Sequence, residues 1–98
     1  MSLPLLFRAA AQAEMDAATA WYEGQRAGLG TDFVGEVQNV LDTISRQPLR
    51  FPVASGDVRE APVSRFPYCV YYRVKPMRVV VIAVFHTSRN PAAWQSRP

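Results

Sequence analysis

From about Ala9 onward, apolar and polar positions recur with the 3.6-residue period of a helix. Gln12, Asp16, Thr19, Glu23 and Arg26 fall on one stripe, and Ala13, Ala17, Ala20 and Trp21 on the other. This predicts an amphipathic helix of about five turns, ended by the tight turn Gly28-Leu29-Gly30. A second periodic segment follows at once. Phe33, Val37, Val40, Leu41 and Ile44 make its apolar stripe, and Asp32, Glu36, Gln38, Asn39 and Asp42 its wet face. Asp32 and Glu36 near its start suit the helix dipole, and Pro48 stops it. So short a connection predicts an antiparallel helix hairpin.

The rest of the chain reads as strand and loop. Leu3 to Arg8 is a short apolar run suited to an opening strand. Residues 48–56 hold prolines and a glycine and read as loop, with a short strand over Val58 to Ala61. Tyr68 to Val74 and Val79 to His86 are rich in Val, Ile, Tyr and Phe, with Lys75-Pro76-Met77-Arg78 as the hairpin turn between them. Placing Lys75 opposite Arg78 pairs Val74 with Val79, Tyr72 with Val81 and Val70 with Ala83. One face then carries Tyr68, Val70, Tyr72, Val74, Val79, Val81, Ala83 and Phe85, and packs on the helices. The other carries Cys69, Tyr71, Arg73, Val80, Ile82, Val84 and His86, and faces solvent or a partner. Trp21, Val37, Leu41 and Ile44 are the expected core beneath the Tyr72/Val81 face. A helical turn around Trp94 ends the chain. The expected fold is α+β in the order βααβββ: a strand, a helix hairpin and a three-stranded antiparallel meander.

Length and charge narrow the function classes. Ninety-eight residues suit one domain over residues 1–98, and no apolar run approaches the length that spans a bilayer. A single cysteine, Cys69, and a single histidine leave neither a disulfide framework nor a metal site, and no cofactor motif is present. With no leader-like start, a reducing cytoplasm is the expected location and no membrane partner is expected. Residues 1–50 carry four arginines against six carboxylates, net −2, whereas residues 51–98 carry seven cations against two carboxylates, net +5. Ten of the eleven cations are arginine, which favours planar, bidentate recognition of carboxylate or phosphate.

Several residues are candidates for chemistry or contact. His86 and Arg89 form either a proton-transfer and anion-contacting pair or a simple strand cap. Arg59, Arg65, Arg73 and Arg89 either converge on an anion or stand as separate rim charges. Cys69 reads as a small buried hydrophobe; as a nucleophile it would need His86 as its base. The cations do not lie along one helix, so no direct grip on DNA is expected.

The chain resembles the toxins of the RelE/ParE superfamily of type II toxin–antitoxin (plasmid stabilisation) modules. The resemblance is carried by Ala17-Ala18-Thr19-Ala20-Trp21-Tyr22-Glu23, Gly28-Leu29-Gly30-Thr31-Asp32-Phe33, Ile44 with Pro48, and Val58-Arg59. Further along it is carried by Arg65-Phe66-Pro67-Tyr68, Tyr71-Tyr72-Arg73-Val74, Val79 to His86, Arg89-Asn90-Pro91 and Trp94. It implies a cognate antitoxin whose C-terminal segment wraps and blocks the toxin. RelE-like members cut mRNA in the ribosomal A site, and ParE-like members inhibit DNA gyrase. The nucleases usually carry an arginine where this chain has Cys69, together with lysines on the preceding strand and a C-terminal tyrosine, none of which is matched here. Arg89 matches their second arginine, and His86 lies near, but not at, a histidine that some of them use. The resemblance therefore leans to a ParE-like gyrase inhibitor, with a ribosome-dependent mRNA nuclease, or an inactive toxin that only joins its antitoxin in a repressor, as alternatives. It makes Arg59, Arg65, Tyr71, Arg73, His86, Arg89 and Trp94 the candidate target or antitoxin contacts, and His86, Arg89, Arg59 and Arg65 the candidate nuclease groups.

Overall fold

A computed structural model describes residues 2–98. Its elements run β1 (Leu5–Phe7), α1 (Ala9–Gln25), α2 (Leu29–Arg46), β2 (Val53–Ser55), β3 (Val58–Pro62), β4 (Tyr68–Val74), β5 (Val79–His86) and α3 (Ala92–Gln95). The strands form one mixed sheet in the order β1-β5-β4-β3-β2. The expected meander is present as β3, β4 and β5, but it is the centre of a larger sheet. β1 joins β5 in parallel, and β2 adds an antiparallel edge inside the segment read as loop. β2 is only three residues long and mostly exposed, so it carries no apolar alternation to mark it.

The helix hairpin packs on one face of the sheet. Phe33, Val37, Val40, Leu41 and Ile44 of α2 are buried there against Val70, Tyr72, Val79 and Val81. The turn into α2 depends on two glycines. Gly28 sits at φ 89°, a left-handed conformation that costs L side chains about 1–2 kcal/mol. A Cβ on Gly30 would come within 2.8 Å of the Thr19 carbonyl oxygen, so glycine lets the two helices approach. The Glu23 carboxylate accepts the backbone N–H groups of both glycines, which serves donors that the start of α2 leaves open. Among the described residues, no helix is long and apolar enough to cross a membrane.

Two expectations are corrected. The stripe of α1 that meets the sheet is Ala11, Met15, Ala18 and Tyr22, while Ala13, Ala17, Ala20 and Trp21 are exposed, Trp21 by 60%. Alanines lie all round this helix, so they give its rotation little preference, and the larger Met15 and Tyr22 decide it. The β4–β5 register also departs from the regular one. Tyr72 pairs with Val81 but Tyr71 pairs with Ala83, leaving Ile82 as an extra residue. Beyond this bulge Val84 turns to the helices and Ala83 and Phe85 turn away from them.

The outer face of the sheet is covered rather than open. Val58, Cys69, Tyr71, Val80, Ile82, Ala83 and Phe85 form a second buried cluster with Trp94 of α3. Arg97 reaches back over it, so residues 91–98 serve as the lid of this face.

Candidate functional site

The bulge decides where the lone histidine sits. His86 lies opposite Tyr68, with ring centroids 5.1 Å apart, on the helix-facing side. Cys69 points to the outer face, so the two that sequence placed on one face are on opposite faces. Burial, and then the nearby Glu60 carboxylate, push the Cys69 thiol up to about 11. It is an unreactive small hydrophobe.

Around His86 a groove of about 370 Å³ opens between α1 and the end of β5, lined by Ala17, Trp21, Tyr68, His86, Arg89 and Glu14 among others. Its aromatic wall continues along Trp21, Tyr22, Pro67 and Tyr68. Tyr22 is fixed from below by Phe33 and Phe66, at centroid distances of 5.2 and 4.8 Å. Trp21 meets Tyr22 edge-on and leaves its face to solvent. The groove exists because β1 pairs only with Val79–Val81, so the edge of β5 beyond Val81 faces α1 instead of a strand. Glu14 serves that edge by accepting the Val84 N–H at 3.1 Å.

The His86 imidazole is oriented by its own loop. Nδ1 accepts the Ser88 backbone N–H at 3.0 Å and lies 2.8 Å from the Ser88 hydroxyl. A backbone N–H can only donate, so the ring proton belongs on Nε2 and the ring offers the groove a donor rather than a base. Arg89 stacks over Phe85 at 4.1 Å and lies 3.8 Å from the Glu14 carboxylate.

The other predicted cations are dispersed. Arg59 is on the helix-facing side of β3 and donates to the carbonyls of Leu49 and Phe51. Arg65 stands at the start of α2, beside Asp32 at 3.6 Å and Glu36 at 3.3 Å. Arg73 is on the outer face, paired with Asp57 and bonded to the backbone oxygens of Arg97 and Pro98. Arg59, Arg65, Arg73 and Arg89 thus stand in four separate settings, each with its own acceptors, and do not converge on one anion. Tyr71 and Trp94 are stacked on the outer face at 4.0 Å, and the Tyr71 hydroxyl donates to Glu60. Of the sequence candidates, the fold brings His86 and Arg89 together, and Tyr71, Arg73 and Trp94 together.

A larger groove of about 680 Å³ runs between α1 and α2, lined by Met15, Thr19, Ala20 and Val34 among others. Its carboxylates are engaged, Asp16 by Gln12 and Glu23 by the turn. Among the described residues there is no group of His, Cys, Asp and Glu able to hold a metal.

Residues 5–91 match the family described as ParE toxin of type II toxin-antitoxin system, parDE. The chain belongs to the ParE toxin family. Its fold is similar to a solved structure described as the chromosomal ParDE TA system from P. aeruginosa. The TM-score is 0.75 at 17% identity, covering 89% of this chain and 98% of that one. A search of curated proteins finds no match.

In this ParE-family chain, two groove residues were not readable as such from sequence. Glu14 reaches Val84 and Arg97, at separations of 70 and 83 residues. Only the packing of α1 along β5 brings them together. Trp21 falls on the alanine stripe that the periodicity assigns to the core, and the rotation of α1 places it in the groove instead.

Proposed function

We propose that this chain is the growth-arresting toxin of a type II module, that it acts on DNA gyrase without cutting RNA, and that a cognate antitoxin neutralises it. The observation that carries the reading is the state of the nuclease candidates. Cleavage by 2′-OH attack needs a base, an acid and unengaged cations around one phosphate. Here the single histidine has Nδ1 occupied by Ser88, and the three candidate arginines, Arg59, Arg65 and Arg89, stand apart from one another, each beside its own acceptors. Neither arrangement supplies a base with cations clustered beside it.

The groove between α1 and β5 supports the antitoxin half of the reading. It combines an exposed indole with a guanidinium and an N–H donor, which suits an acidic segment carrying bulky apolar residues. Affinity in such a contact comes mainly from the buried aromatic anchors, while charge sets on-rate and salt dependence. Induction of the toxin in cells tests the reading. Plasmid supercoiling is expected to fall while primer extension on cellular mRNA shows no new codon-positioned cuts. New cuts with normal supercoiling would assign the chain to the nuclease branch.

A further inference from the structure

Residues 91–98 lie across the outer sheet face, and very little of their order is their own. α3 is a single turn of four residues, far below the length at which a helix holds itself. Three sets of contacts hold the segment, and in one of them the Arg73 guanidinium donates to the backbone oxygens of Arg97 and Pro98 at 2.9 and 3.2 Å. Trp94, 3% exposed, stacks on Tyr71, and its Nε1 is buried with no hydrogen-bond partner among the described residues. Arg97 forks onto Glu14, with Nη2 2.8 Å from Oε2 and Nη1 2.9 Å from Oε1, and also donates to the Ile82 carbonyl at 3.0 Å. The buried indole donor gives up its hydration without a replacement, which disfavours the closed arrangement. The Glu14–Arg97 clasp works against that, because a forked, charge-assisted pair is the strongest of these contacts. Glu14 has a second role as the acceptor of the exposed β5 edge, so clasp and edge share one carboxylate.

We propose that residues 91–98 form a latch, closed by the Glu14–Arg97 pair, whose opening uncovers the Cys69/Tyr71/Phe85 face while the helix-side core stays folded. The latch stands on these contacts alone, and its failure would leave the gyrase reading untouched. If the target is met through Trp94, opening is the step that makes the indole available.

Cys69 is the chain's single cysteine and is buried in the cluster under the latch, so its labelling by a small thiol reagent reads opening directly. Far-UV circular dichroism in the same buffer follows the rest of the fold. Arg97→Ala and Glu14→Gln are each expected to label on the order of tenfold faster than the parent at unchanged helix content. Glu14→Gln keeps an acceptor for Val84 and is the gentler of the two. The double variant is expected to label no faster than the faster single one, because both remove the same clasp. Labelling at the parental rate in both single variants would overturn the latch. So would accelerations that multiply in the double variant, or labelling that begins only at urea concentrations where the dichroism is already lost.

Discussion

His86 faces Tyr68 across the β4–β5 ladder because Ile82 is an extra residue between the partners of Tyr71 and Tyr72. Were the ladder regular with Ile82 paired in it, the last four residues of β5 would exchange faces, since a one-residue slip reverses every side chain beyond it. Val84 would leave the helix-side core and Phe85 would be driven into it. Deletion of Ile82 makes the ladder regular and keeps each of these residues on its face, so the variant is expected to retain cooperative unfolding in urea, at a cost of about 2–5 kcal/mol for the lost buried side chain. A deletion variant that no longer unfolds cooperatively would contradict the assignment of Ile82 as the extra residue.

Leu41 and Trp21 should behave as opposites. Leu41 is 4% exposed inside the helix-side core, so Leu41→Ala is expected to cost about 2–5 kcal/mol. Trp21 is 60% exposed, so Trp21→Ala is expected to cost less than about 1 kcal/mol, in the range of surface substitutions. Its loss should instead weaken binding at the groove. Equal costs in chemical denaturation would contradict the observed rotation of α1.

Arg65 adopts φ 70°, in the left-handed region, and its guanidinium lies beside Asp32 and Glu36. The ion pairs are half exposed and worth little, whereas a non-glycine residue there carries backbone strain. Arg65→Gly is expected to be more stable than Arg65→Ala by about 1 kcal/mol, since both lose the pairs but only glycine relieves the strain. Urea midpoints of the two variants decide the order.

Alkaline pH should weaken the fold. Burial raises the Cys69 thiol to about 11, and burial also raises the Tyr22, Tyr68, Tyr71 and Tyr72 phenols. A raised pKa in the folded state means that the unfolded chain loses its protons first. Stability is then fully present below about pH 8.5, the unfolded thiol value, and falls as pH rises towards 11. Cys69→Ala should flatten the first part of that decline, before the tyrosines contribute. Thermal midpoints measured across this range check the sign.

The chain made some of this legible and hid the rest for physical reasons. α2 could be read closely, because large residues at Phe33, Val37, Leu41 and Ile44 define one face without ambiguity. The turn at Lys75–Arg78 set the register correctly as far as Tyr72 and Val81. The bulge was invisible, since Ile82 and Ala83 are both apolar and either parity gives a plausible face. That one residue also misplaced His86, and with it the geometry of the groove. The covering of the outer face could not be foreseen either, because it depends on Trp94 and Arg97 folding back onto residues distant in sequence.

Purified, antitoxin-free protein added to DNA gyrase in a supercoiling assay tests the account's central claim most directly, run beside ribosome-dependent cleavage of a defined mRNA. The account predicts dose-dependent loss of supercoiling with intact mRNA, for the parent and for His86→Ala alike, since His86 is assigned no base role. Undiminished supercoiling together with mRNA cuts that vanish in His86→Ala would contradict it.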